Sequence, residues 1–329
     1  MPESPACALC GGQDFQTVLE GGQDWIWRKP GVWQLQECSA CSLVMTRPRP
    51  TAEELPTFYE GAYSGDNQHG EGKKEGADNL IGRLLSDHRL GVLAKVRPLG
   101  PQDHLLDVGC SYGGLLKRAR DTTGCRTSGI DLDEGSIAGA VEPELCDYRT
   151  GTLVDAGYEA GSFQVVTFME CLEHDPRPAQ SLAEAWRVLE PGGLVSVEVP
   201  NWEGAWRGLF GPYWLPLLLP QHLVHYRPAT LRKMLEQAGF QVVHEQTMFF
   251  PLEGVASLWL MLVAWFDIPP AGSKPTWKTP FHLLLFAWVA LLWFTVEVPS
   301  QLLLRLMGRS GHMTLIGRKI GHPSPSENP

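Results

Sequence analysis

The sequence predicts an α/β protein built on a doubly wound sheet, with a cysteine-bearing module before the sheet and an apolar helical insert just ahead of its last strand. Three observations predict it. Residues 80–247 alternate short apolar runs with amphipathic stretches, the pattern of repeated strand–helix units. A glycine-rich turn at 109–114 joins a strand-like run to a helix-like one. An aspartate, Asp131, closes the next strand-like run, about twenty residues beyond the glycines.

Composition agrees with a folded chain. The 329 residues are 43% hydrophobic and 19% charged, enough for one sizeable core plus extra modules. A net charge of −10, with no basic stripe, argues against a polyanionic substrate such as RNA. The first twenty or so residues hold no long apolar run after a basic start, so no secretory signal is expected. The expected location is cytoplasmic, and the 8 cysteines read as thiols or metal ligands. Composition divides the chain into a cysteine module (1–60), a polar glycine-rich linker (61–79), the sheet domain (80–247), an apolar hairpin insert (248–311), a final strand of the same sheet (312–321) and a tail (322–329).

In the first module, Cys7-Ala-Leu-Cys10 and Cys38-Ser-Ala-Cys41 are two C-x-x-C pairs. Each pair can form a knuckle whose sulfurs converge on one ion, and two knuckles supply the four thiolates of a tetrahedral zinc site. With every position filled by protein, the zinc is structural, and its binding energy folds a segment too small to fold alone. Unrelated free thiols or a redox pair are the alternatives, which two matched pairs in so short a segment outweigh.

The strand Leu105–Val108 runs into Gly109, Gly113 and Gly114, where backbone can approach a ligand closely. A carboxylate at Asp131 can accept from both hydroxyls of an adenosine ribose, whatever the rest of the cofactor. The spacing is G-x-x-x-G-G, and a dinucleotide pyrophosphate asks for G-x-G-x-x-G.

Six segments in order carry a resemblance. LLDVGCSYGGLL (105–116) resembles the first motif of class I S-adenosylmethionine-dependent methyltransferases, and GIDLDEGSI (129–137) their second-strand motif. FQVVTFMECLEHDPRP (163–178), WRVLEPGGLVSVEVPN (186–201), HLVHYRPATLRKMLEQAGFQVV (222–243) and HMTLIGRKI (312–320) are similar to their later segments. Ser111-Tyr112 and Gln164 depart from the usual Gly-Thr and Asp. The resemblance implies a Rossmann-like sheet with S-adenosylmethionine as cofactor. It implies that Asp107 orders the loop and reaches the cofactor's amino group, that Gly109, Cys110 and Gly113 admit the cofactor, and that Asp131 holds the ribose. Leu132 would lie against the adenine, Thr152 and Leu153 near its edge, and Met169 and Glu170 beside the methionine end. A cysteine ribbon ahead of such a domain also resembles an architecture among sugar and cell-surface methyltransferases.

Methyl transfer needs alignment and often removal of the acceptor's proton. His174, after the fourth strand at the ligand-facing edge, is the first candidate base, with Glu173 to orient it. Capping the helix that starts near Pro178 is their alternative role. His222 and His225, at i and i+3, would share a face in a helical turn and bind or deprotonate the acceptor, or else fix a loop. Cys125, Cys146 and Cys171, like the side chain of Cys110, read as small buried residues rather than nucleophiles.

Val255–Phe266 and Phe281–Val296 are apolar runs separated by a proline-rich turn holding Lys274, Trp277 and Lys278. Each run is shorter than the roughly 20 residues a spanning helix needs. A return of 312–320 to the sheet requires the chain to leave and re-enter on one side. A hairpin lying on the inner face of the cytoplasmic membrane, with Arg305 and Arg309 near headgroups, fits these constraints; a helical pair in a dimer interface or over the site is the other reading. The expected activity is methylation of a glycan, lipid-linked glycan or lipophilic small molecule, on O, C or N. RNA methylation and a non-catalytic scaffold are the alternatives, and a homo-oligomer is compatible with all of them.

Overall fold

The computed structural model describes residues 3–51, 53–59, 80–250, 252–266, 288 and 291–320. The expected linker 61–79, the turn of the insert with Lys274, Trp277 and Lys278, the start of the second apolar run and the tail 322–329 lie outside the described residues. The chain forms two compact units: 1–58, 200–230 and 246–313 make the first, and 59–199, 231–245 and 314–329 the second.

The second unit is built on a seven-stranded sheet. In chain order its strands are β4 (His104–Val108), β5 (Arg126–Asp131), β6 (Asp147–Thr150), β7 (Phe163–Met169), β8 (Leu189–Pro200), β10 (Phe240–Thr247) and β11 (His312–Lys319). Their spatial order is β10-β11-β8-β7-β4-β5-β6, and β4 pairs in parallel with both β5 and β7. The chain winds outward from β4 in one direction through β5 and β6, then returns to β7 and winds the other way. The carboxyl ends of β4 and β7 therefore flank the point where the winding reverses, which is where open α/β sheets bind ligands. This is the Rossmann-like sheet the motifs imply, with the final strand inserted beside β8.

Burial explains the apolar runs. Leu105, Leu106, Val165, Val166, Leu194 and Ile316 are fully buried, and helix α1 (Leu80–Ala94) packs Val92 and Leu93 into the same core as Leu116 and Ala119 of α2 (Gly114–Thr123). Each such leucine contributes about 1.5–3 kcal/mol through removal from water. Most of β8 is buried, and its stretch Leu194–Pro200 reads as a near-continuous apolar run broken by a single charge, Glu198.

The first unit holds a four-stranded sheet, β1 (Phe15–Gly22), β2 (Trp33–Cys38), β3 (Val44–Thr46) and β9 (Val224–His225) in that order. Trp33, Leu35, Val44, Trp202, Phe210, Trp214, Leu217 and Leu219 form its core. Two insert helices complete the unit: α7 (Glu253–Trp265), and α8 (Val298–Leu306), which continues a π-helical turn at Trp293–Glu297. Among the described residues no helix is long and apolar enough to cross a membrane.

One expectation is corrected here. His222 and His225 do not share a helical turn, because β3 captures 224–225 as a strand, pairing Val44 with His225 and Met45 with Val224.

Candidate active site and cysteine cluster

Asp107 stands near the end of β4, opposite Thr167 of β7 in the sheet register. That register lets the Thr167 hydroxyl donate to Asp107 Oδ1 at 2.6 Å. Burial pushes the Asp107 carboxyl up to about 7, against the pull of Thr167 and of the Arg89 guanidinium.

The loop after Asp107 is shaped by close approaches. Gly109 has φ +76°, and a Cβ there would lie 2.6 Å from Cys171 Sγ, so the backbone admits no side chain at this position. The Gly113 Cβ position is likewise taken by the Tyr148 phenol. Cys110 turns its thiol into the core, where burial raises its pKa, so only its backbone borders the loop. Ser111, at φ 49°, aims its N–H at Asp131 Oδ2 at 2.8 Å, while Asp133 N–H donates to Oδ1 at 2.9 Å. Each carboxylate oxygen keeps a second lone pair with which to accept from a ribose hydroxyl. Beside it Leu132 is 73% exposed, an apolar side chain offered to a flat apolar partner.

Thr152 donates its hydroxyl to Asp155 at 2.6 Å, and Leu153 is buried in the core. Met169 ends β7. Glu170 follows with φ 55°, and its N–H donates to the Glu198 carbonyl at 2.9 Å. Glu173 is buried, and burial together with the neighbouring Glu170 carboxylate holds its carboxyl well above the usual range. His174 closes the 3-10 turn Leu172–His174, with Nδ1 2.9 Å from the Tyr59 hydroxyl. The helix α4 (Pro178–Val188) is served by Asp175, which accepts from Arg177 N–H at 2.7 Å and from the Ser181 hydroxyl.

The histidines of the first unit are held differently. His225 is buried, with Nε2 3.2 Å from the Thr46 hydroxyl. That hydroxyl donates to the His222 carbonyl at 2.6 Å, so His225 Nε2–H is the donor to Thr46. Burial and the Arg207 charge lower the His225 pKa to about 3. His222 Nδ1 lies 2.9 Å from the Pro216 carbonyl, which can only accept, so Nδ1 carries the proton. The His222 ring is thus anchored to a loop carbonyl and the His225 ring to a strand hydroxyl. The four candidate catalytic residues fall two in each unit.

Arg89 and Glu198 were not anticipated from the sequence. Arg89 donates through Nε, at 2.9 Å, and Nη2, at 2.5 Å, to one Glu198 oxygen, and its charge also attracts Asp107 and Glu170. The signal for Glu198 was the lone charge in Leu194–Pro200, since a charge in a buried strand needs a partner. Tyr59 left no comparable signal. Asp107, Asp131 and Glu170 thus gather acidic side chains at this sheet edge, with Arg89 engaged by Glu198, an arrangement that suits a cofactor carrying an ammonium and a sulfonium.

In the first unit the four thiols converge as the two C-x-x-C pairs require. Cys7 Sγ lies 3.4 Å from Cys41 Sγ and Cys10 Sγ 3.5 Å from Cys38 Sγ, with all four within 4.8 Å of one another. A tetrahedron with Zn–S bonds of 2.3 Å has edges of about 3.8 Å, so the cluster matches the ion in size.

A winding reversal flanked by a glycine turn, with a carboxylate closing the next strand, is the ligand seat of a doubly wound α/β sheet. A family model described as a methyltransferase domain matches residues 80–245, and the chain belongs to that family. It is 33% identical over 170 residues to the ubiquinone biosynthesis O-methyltransferase of Aromatoleum aromaticum, covering 47% of this chain and 71% of that one. Identity to the protein of the same name from Xanthomonas axonopodis is 34% over 171 residues, covering 48% and 70%. A chain in the complex between the Haloferax volcanii Trm112 methyltransferase activator and a methyltransferase shares the fold at a TM-score of 0.51 and 19% identity, over 79% of this chain and 99% of that one.

Proposed function

We propose that this methyltransferase acts on a hydroxyl of a lipophilic small molecule, with His174 as the proton acceptor and the four N-terminal cysteines holding a structural zinc. The observation that carries the reading is the sheet edge itself, where Asp107 and Asp131 stand at the carboxyl ends of β4 and β5, and Gly109 and Glu170 open the loops after β4 and β7. Asp131, with Leu132 beside it, would hold the adenosine, and Asp107 and Glu170 would face the methionine end. When bound, S-adenosylmethionine supplies an electrophilic methyl group.

The chain's own part is to align a hydroxyl and remove its proton. A His174 tautomer that donates from Nδ1 to the Tyr59 oxygen leaves Nε2 as the nitrogen that accepts. The similarity to ubiquinone biosynthesis O-methyltransferases supports oxygen as the methylated atom and favours a lipophilic small molecule over a glycan or lipid-linked glycan. Such an acceptor partitions into bilayers, so peripheral membrane contact belongs to the same reading.

Incubation with methyl-labelled S-adenosylmethionine and fractionated cell extract tests it. Label in the organic-soluble fraction as a base-stable methyl ether, absent with Asp131→Ala, is expected. Label confined to water-soluble glycan or to RNA would overturn the acceptor.

A further inference from the structure

The helix α8 wears its polarity inside out. Glu297 and Gln301, one turn apart, are 2% and 0% exposed, while Leu302, Leu303 and Leu306 are 51%, 58% and 86% exposed. A helix packed on a protein core in water buries its leucines and exposes its polar residues. Met307 continues the exposed stripe, and Trp265 and Phe266 at the end of α7 are exposed as well.

The charges are sorted in the same sense. Glu253 and Glu297 are the acidic residues among the described part of the insert, and both are turned inward and consumed. Glu253 accepts from the Trp214 indole at 2.6 Å, the Gln301 amide at 3.0 Å and Gly311 N–H at 3.1 Å. Glu297 accepts from Gly254 N–H at 3.0 Å and from the same Gln301 amide at 3.1 Å. Arg305 lies between Leu304 and Leu306, Arg309 follows two residues after Met307, and the side chains of both make no hydrogen bond or ion pair among the described residues.

We infer that the outer face of α8, Leu302, Leu303, Leu306 and Met307 flanked by Arg305 and Arg309, docks on an anionic lipid surface. The inference rests on the lipophilic-acceptor reading for its purpose and on α8 alone for its geometry. Leucines enter the acyl boundary, and the arginines meet headgroup phosphates. A two-fold contact between copies would set α8 against a second α8, and the two described carboxylates of that insert are internal and already engaged. Anionic lipid supplies the arginines with an anion.

Sedimentation of the full chain with vesicles of phosphatidylglycerol and phosphatidylcholine, against vesicles of phosphatidylcholine alone, tests the inference. Binding to the mixed vesicles is expected to exceed binding to the neutral ones by tenfold or more. At about one order of magnitude per 1.4 kcal/mol, Arg305→Glu/Arg309→Glu should weaken the mixed-vesicle binding by roughly thirtyfold or more. Leu303→Ser/Leu306→Ser, at exposed positions, should abolish it with the melting temperature kept. Absence of wild-type binding, or binding unchanged in both variants, would overturn it. So would a wild-type dimer in light scattering that the leucine variant converts to monomer, since a second copy would then be the occupant. Methyl transfer to a detergent-dispersed acceptor, measured in parallel, separates loss of docking from failure of the acceptor reading.

Discussion

The Thr167 hydroxyl and the Asp107 carboxylate are joined across neighbouring parallel strands by a 2.6 Å hydrogen bond, at the point where the sheet reverses its winding. The bond opposes the burial that pushes Asp107 up to about 7. Ionised Asp107 is the form that attracts a cationic cofactor, so affinity for S-adenosylmethionine should rise through neutrality, by up to about tenfold between pH 6 and 8. The stability effect has the opposite sign. A folded pKa above the unfolded value of about 4 means that the folded state binds the proton more tightly, so stability is lost as pH rises from about 4 to about 7. Calorimetric titration across this range should show the affinity rise in the wild type and its absence in Asp107→Asn. Thr167→Val removes an interaction that favours the carboxylate and should move the midpoint upward.

Gly109→Ala should weaken both fold and cofactor binding. Its φ of +76° costs an alanine about 1–2 kcal/mol, and the new methyl would meet Cys171 Sγ at 2.6 Å and Cβ at 2.8 Å. The double variant Gly109→Ala/Cys171→Gly removes the collision and keeps the dihedral cost. Denaturant unfolding should therefore show partial recovery in the double variant, and full recovery would remove backbone conformation from the account.

The histidines should separate by what their loss affects. His174→Ala is expected to lower kcat by about 10²–10⁴ with little change in melting temperature, the range for loss of a general base. Tyr59→Phe, which takes away the partner of Nδ1, should shift the pH profile of kcat. His225→Gln should do the reverse, lowering stability by about 1–2 kcal/mol while kcat persists. Because the folded pKa of His225 lies near 3, below the unfolded value, its contribution is present at neutral pH and lost as pH falls below about 6.5. The variant should lack that part of the acid sensitivity.

These contrasts mark what the sequence could reveal. Asp107, Gly109, Gly113 and Asp131 were legible because a strand, a positive-φ turn and the next strand's end leave a local signature of glycine and carboxylate spacing. Cys7, Cys10, Cys38 and Cys41 were legible for the same reason, through tight local pairs. Arg89 with Glu198 and Tyr59 with His174 were not, because each pair joins residues more than a hundred apart, 109 and 115, and neither spacing nor periodicity reaches so far. The i, i+3 reading of His222 and His225 failed to tertiary pairing, since strand β3 imposes an extended conformation that local pattern does not announce. The insert was visible as two apolar runs, but which face of α8 would turn inward depended on the partners of Glu253 and Glu297.

Zinc content gives a direct check on the cysteine cluster. Purified protein should carry about one zinc per chain, and Cys38→Ser should carry none. Removal by a strong chelator should lower the melting temperature and expose the β1–β2 hairpin to protease, because the ion's binding energy of several kcal/mol is folding energy for such a module. A chain that holds no zinc and keeps its melting temperature in chelator would assign the cluster to thiol packing.

Glu253 and Glu297 should differ sharply in their tolerance of change. Glu253→Ala would strand the Trp214 indole, Gly311 N–H and one Gln301 bond inside the first unit, where the wild-type carboxylate satisfies all three. Each buried donor left without a partner costs about 1–3 kcal/mol, so the variant should be destabilised by at least about 3 kcal/mol. Burial and the Glu253 carboxylate raise the Glu297 pKa, so Glu297→Gln approximates its protonated form and keeps an acceptor for Gly254 N–H. It should cost under about 1 kcal/mol at pH 5. A raised folded pKa makes wild-type stability fall as pH rises through that pKa, and the glutamine has no proton to lose, so the cost of Glu297→Gln should shrink as pH rises. Unfolding curves of both proteins at pH 5 and pH 8 measure the change, and an equal cost at the two values would remove titration of Glu297 from the account.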